Sequence, residues 1–225
     1  MCGCVISEVK TSHKYKKQRR AEHQHCTIFT MSLTNYKIVV LGRDGVGKTR
    51  IIIRFVCGLF VEEYDPGIGE DDYRRQINVD DKFYVLDTYG DIEEYPAMRD
   101  QSIRSAHGFL LVYSIADIDS FNKIKSYCDE ITRVKGIDDK DIPIVLVGAK
   151  CDMEDSREVT REQGKGLARQ LNCPFFEVSA KNGVCVDDTF TEIVREINAH
   201  QTVEPEPEPT KESKKSKFPK FFKRK

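Results

Sequence analysis

GRDGVGKT, residues 42 to 49, lies between the apolar run YKIVVL and a second one, IIIRFV. Gly42, Gly45 and Gly47 let the backbone wrap closely, so its N–H groups and the start of the following helix face an anion. Lys48 adds a point charge, and the Thr49 hydroxyl suits a magnesium ion. The pattern G-x-x-x-x-G-K-T after a strand and before a helix is specific for a phosphate chain. The plainer reading, a chance glycine-rich turn, does not account for the flanking runs.

Three further stretches extend the chemistry. In LDTYG, residues 86 to 90, Asp87 reads as the end of an apolar strand beside the phosphate loop, where it holds magnesium through a water. Gly90 can offer an N–H to a terminal phosphate. In VGAKCD, residues 147 to 152, Asp152 can accept from both the N1–H and the amino group of guanine, a donor pair that adenine lacks. In VSAK, residues 178 to 181, the Ala180 N–H can meet the guanine carbonyl oxygen. Taken singly, Asp87 is a turn former and VSAK a plain strand exit.

These groups need a scaffold. YKIVVLG, FYVLD, GFLLVYS, IPIVLVG and FFEVS are short runs rich in Val, Ile, Phe and Tyr, suited to buried strands of a mostly parallel sheet. Amphipathic stretches at 48 to 58, 97 to 106, 118 to 135, 160 to 171 and 186 to 199 alternate with them, the fourth opening on a capping signal at Thr160, Glu162 and Gln163. QINVDDKFYVLD adds a hairpin with Asp80 and Asp81 at its turn. The order predicts an α/β, doubly wound domain with ligands at the carboxyl ends of its strands.

A chain of 225 residues has room for one well-cored domain with tail to spare. The expected limits are a basic arm at 1–31, the domain at 32–203, and a spacer and tail at 204–225. Charge is partitioned accordingly: the first 31 residues hold +4, residues 211 to 225 hold +7, EPEPEPT holds −3, and the total of −1 leaves −9 on residues 32 to 203. An acidic globule between basic arms suits an anionic partner. No run approaches the ~18 apolar residues of a membrane span, and the basic start has no apolar centre for a signal peptide. Eight cysteines without ligand spacing read as reduced thiols.

Together, in this order and spacing, the four motifs resemble a Ras-like small GTPase of the Ras and Rap branch, over residues 35 to 199. FVEEYDP resembles its first switch and EEYPAMRDQ its second; GFLLVYSI and EQGKGLARQ agree. The resemblance implies a six-stranded sheet with five helices, bound GTP or GDP, and Mg2+ on Thr49 and Asp87. It implies Asp44, Val46 and Arg50 on the phosphate side of the nucleotide and Phe60 stacked near the base. Lys150 would lie along ribose and base, with Ser179 and Lys181 supporting the base pocket. Effector proteins would dock on Tyr64, Asp65, Pro66, Ile68, Glu70, Asp71 and Tyr73 by strand addition, and an exchange factor or activator would act on the switches.

The departures from the family are informative. Gly67 stands where the first switch carries a magnesium-binding Thr, and no Ser or Thr lies between Thr49 and Thr88. No Gln lies between Gln76 and Gln101, so the water-orienting role is vacant, with Asp91 nearest; Rap-like relatives manage without it. Tyr89 replaces a small Ala, and Asp44 replaces a Gly whose substitution goes with poor hydrolysis. Ala149 replaces the Asn of N-K-x-D, a loss of about 1–3 kcal/mol, roughly tenfold to a hundredfold in affinity. The expectation is slow hydrolysis and fast exchange; the alternative is a pseudo-GTPase that binds partners without turnover.

The tails set the expected location. No Cys follows Cys185, so no prenylation is expected. KKSKFPKFFKRK combines basic residues with Phe218, Phe221 and Phe222, a composition for anionic membrane at about 1 kcal/mol per basic residue. Cys2 and Cys4 are candidates for palmitate, and initiation at Met31 would remove both. The cytoplasmic face of the plasma membrane and the cytosol are the expected sites, the nucleus the alternative; nucleic acid is not a favoured partner.

Overall fold

The computed structural model describes residues 33–60, 73–90, 96–137 and 141–201. Both basic arms with Cys2 and Cys4, the effector residues Tyr64 to Asp71, and Asp91 lie outside the described residues.

Six strands form one sheet in the order β2-β3-β1-β4-β5-β6. They are β1 (Thr34–Leu41), β2 (Tyr73–Val79), β3 (Lys82–Gly90), β4 (Gly108–Ser114), β5 (Ile144–Ala149) and β6 (Phe175–Val178). Only the β2–β3 pair is antiparallel. The helices are α1 (Lys48–Cys57), α2 (Pro96–Ser105), α3 (Ile118–Asn122), α4 (Ile124–Lys135), α5 (Arg161–Leu171) and α6 (Val186–Gln201). None of the described helices is long and apolar enough to cross a membrane.

Every residue of β4 and β5 is buried, because helices cover both faces of a parallel sheet and its central strands need no polar side. The pleat of β1 sends Ile38 and Val40 into one core layer and Val39 and Leu41 into the other. α1 and α6 close the first layer, their Phe55 and Phe190 rings stacked at 3.7 Å. α2, α4 and α5 close the second with Ile103, Ile131 and Ala168. Each large apolar side chain so buried contributes about 1.5–3 kcal/mol.

Local signals are honoured at the element ends. Thr160 accepts from the Gln163 amide at 3.2 Å while the Gln163 side chain accepts from Thr160 N at 2.7 Å, which starts α5 with a full capping box. Asp80 and Asp81 both take left-handed backbone, φ 51° and 62°, in the two-residue turn between β2 and β3. The stretch 118–135, expected as one helix, is two. Asp117 caps α3 by accepting from Asp119 N and Ser120 N, and the Ser126 hydroxyl donates to the Lys123 carbonyl at 2.7 Å. The break is confined to Lys123, which keeps helical backbone and donates its N–H to Asp119 O at 3.2 Å.

β3 also runs three residues past its expected end at Asp87, through Thr88 and Tyr89 to Gly90. The extension moves Asp87 into the body of the sheet.

Candidate functional site

The chain leaves β1 between β3 and β4, where neighbouring connections run to opposite sides, and enters the phosphate loop. In a doubly wound sheet this is the ligand crevice. Gly42 begins the loop so close to β4 that a Cβ would stand 2.2 Å from the Val112 carbonyl oxygen. Gly47 ends it at φ 108° and precedes α1, which has no side-chain cap and no acidic residue in its first turn. The first-turn amides of α1 are thus left to an anion.

Lys48 is buried, 8% exposed. Its ammonium donates to the carbonyl of Gly42 and to that of Arg43 at 3.3 Å, and it lies 3.4 Å from the Asp44 carboxylate. Asp44 therefore shares the cation of the loop. Arg43 reaches outward to Asp117 at 3.5 Å and Asp119 at 3.6 Å.

A cavity of about 410 Å³ opens beside the loop. Val46, Gly47 and Arg50 line it on the loop side, the Lys150 side chain lies beside Gly47, and Phe60, Asp152, Ala180 and Lys181 complete the lining. The Arg50 guanidinium lies 5.7 Å from the Phe60 ring centroid. Lys150 holds φ 63°, and burial, then the neighbouring Arg50 charge, push its ammonium pKa down. β5 and β6 set the Asp152 side: Cys151 N donates to the Val178 carbonyl at 3.2 Å, so the loop after β5 is tied to the end of β6. Ser179, fully buried, donates to Asp152 Oδ1 at 2.5 Å and accepts from Asn182 N at 3.1 Å. Asp152 stands ready as an acceptor. Ala149, 1% exposed, also borders the cavity, and a methyl group faces it where an amide would add hydrogen bonds.

Asp87, expected at the end of its strand, lies inside it. Asp87 is paired in register with Lys37 of β1, five residues ahead of Gly42, whereas Gly90 is level with Val40. At about 3.3 Å per residue, Asp87 sits three residues, roughly 10 Å, behind the loop-facing end of its own strand. Its carboxylate is engaged there: Arg74 Nε donates to Oδ1 at 2.5 Å, Arg74 Nη2 to Oδ2 at 3.0 Å, and Asn35 Nδ2 to Oδ2 at 2.9 Å. The Arg74 hydrogen bonds hold its carboxyl pKa below the ordinary range, against the opposing effect of burial. Thr49 stands in the first turn of α1, and Asp87 lies inside β3, level with Lys37. At the loop-facing end of β3 stand Thr88, fully buried, with Tyr89 and Gly90.

Arg74 and Asn35 are the site neighbours that motif reading missed. The signal was present: Arg74 lies six residues before Asp80 and Asp87 six after Asp81, so a two-residue turn there places them opposite each other.

A crevice at the head of β1, a glycine-lined anion loop and a carboxylate at the base end define a phosphate-loop nucleotide-binding domain. The Ras family profile matches residues 37–199, and the chain belongs to the Ras family, whose members are GTP-binding switches. It is similar to Ras-like protein 1 of Saccharomyces cerevisiae, 49% identical over 167 residues, which is 73% of this chain and 53% of that protein. The chain thus spans about half the length of this curated relative.

Proposed function

We propose that the chain is a guanine-nucleotide-binding signalling switch that exchanges nucleotide readily, hydrolyses GTP slowly and works at a membrane surface. The observation that carries this reading is the cavity with two unlike sides, Val46, Gly47 and Arg50 at the head of α1 on one, Asp152 and Ala180 on the other. A phosphate chain suits the first side, and the N1–H and amino group of guanine suit the second. Arg50, Lys150 and Lys181 add positive charge along the path.

Ready exchange is supported by Ala149, which contributes no hydrogen bond to base or loop. Slow hydrolysis is supported by Gly67, Asp91 and Tyr89 in place of the family's polar and small residues, and by Asp44 beside Lys48. Magnesium accompanies nucleotide throughout the family; here Thr49 offers it a hydroxyl. Effectors would add a strand to β2, which is the edge of the sheet and begins at Tyr73. The basic tail would hold the protein to anionic lipid, with sedimentation on phosphatidylserine vesicles as the check and purely nuclear accumulation as the contrary result.

The protein purified without added nucleotide is denatured and its released guanine nucleotide counted by chromatography. Near-stoichiometric GTP supports the switch with slow turnover; mostly GDP, with a family-like single-turnover rate, overturns slow hydrolysis. Lys48, turned onto its own loop and Asp44, favours one second reading, a pseudo-GTPase. A nucleotide-free chain whose melting temperature is unmoved by GDP or GTP would establish it.

A further inference from the structure

The Asp87 carboxylate faces the wrong neighbours for a nucleotide-bound metal. It lies level with Lys37 in the first half of β1, and its side chain is only 7% exposed. Three N–H donors, two from Arg74 and one from Asn35, already reach its two oxygens. A carboxylate offers about four acceptor positions, and a two-pronged guanidinium contact is among the stronger charge-assisted pairs. Magnesium demands near-octahedral geometry, and a water that it keeps would itself need an acceptor position on this carboxylate. It would have to break this pair and also reach back along the strand.

Register explains why the conflict is built in. The Asp80–Asp81 turn fixes β2 against β3, so Arg74 meets Asp87; parallel pairing to β1 then fixes both relative to the phosphate loop. Among the described residues, the loop-facing end of β3 carries Thr88, Tyr89 and Gly90 and no carboxylate.

We infer that Asp87 and Arg74 form a structural ion pair of the hairpin, and that the chain binds guanine nucleotide with little dependence on magnesium. This rests on the nucleotide-binding reading above and adds the ionic requirement of that site. Positive charge on the phosphate side of the cavity is supplied by Arg50, which lines it there.

The test is a titration of the full chain with GDP carrying a ribose fluorophore, in millimolar magnesium and in excess EDTA, for the wild type and for Asp87→Asn. The affinity ratio between the two buffers is expected to stay within about threefold, less than 1 kcal/mol. Asp87→Asn is expected to leave that ratio unchanged while lowering the melting temperature, as loss of a structural pair requires. Arg74→Lys, which keeps the charge and loses the fork, covers the case in which Asp87→Asn does not fold; its ratio is also expected to match the wild type. A wild-type affinity that falls about a hundredfold in EDTA overturns the inference, whatever the variants do. No binding in either buffer overturns the parent reading as well, and is told apart by the absence of any signal to compare.

Discussion

Ser179 Oγ lies 2.5 Å from Asp152 Oδ1, the serine fully buried and the aspartate on the surface. The carboxylate proposed to read the base is therefore oriented from the end of β6 and not by its own loop. Ser179→Ala is expected to weaken GDP binding about tenfold, the worth of one hydrogen bond to a charged group, with the thermal midpoint nearly unchanged. Inosine diphosphate, which lacks the amino group, sharpens the measurement: the preference for GDP over it should shrink in Asp152→Asn.

Ala149 borders the same cavity beneath Lys150. Restoring an amide there, Ala149→Asn, is expected to slow nucleotide release by roughly tenfold, an added buried hydrogen bond being worth about 1–2 kcal/mol. Stopped-flow displacement of a fluorescent nucleotide reads the rate directly, and an unchanged rate would remove Ala149 as the cause of ready exchange.

Gly42 passes the Val112 carbonyl with no space for a side chain, a Cβ falling 2.2 Å from that oxygen. Gly42→Ala has to push the loop away from β4, at an expected cost of about 1–3 kcal/mol. The urea midpoint should fall and nucleotide binding should weaken together, because the same displacement moves the loop amides. Gly45→Ala meets no atom within 4 Å but must hold φ 79°, so its effect should come from backbone strain alone.

Phe190 and Phe55 stack at 3.7 Å between α6 and α1. Phe190→Ala leaves a hole under the helix that carries Lys48 and Thr49, and is expected to cost about 3–5 kcal/mol in chemical denaturation. A loss under 1 kcal/mol would mean that the layer repacks.

Because the folded-state pKa of Asp87 is lowered by Arg74, its ion pair stabilises the fold fully above the unfolded carboxyl value near ~3.9 and fades as pH falls through the depressed folded value. The gap in melting temperature between the wild type and Asp87→Asn should be widest near neutral pH and close below about pH 4. A gap that is constant down to pH 3 would show that Asp87 acts through shape and not through charge.

Much of this architecture was legible in residue order. β4 coincides with GFLLVYS because a strand buried on both faces has to be apolar throughout, and Thr160 with Gln163 announced the start of α5. The glycine loop was legible in its shape: Gly42, Gly45 and Gly47 all take positive φ. Asp87 was not, because a motif names residues and says nothing of how far a strand continues; whether Asp87 ends β3 or lies inside it depends on pairing with β1. The break at Lys123 escaped for a related reason. Amphipathic periodicity persists across it, and Lys123 itself keeps helical backbone.

The two-residue turn at Asp80 and Asp81 counts as a ruler for everything on β2 and β3. Insert one residue there, and every side chain of one strand changes face relative to the other; Arg74 would no longer meet Asp87. A lineage of such proteins could then gain or lose its need for a divalent ion through the length of a surface turn, a change invisible to any comparison of the phosphate-loop residues themselves.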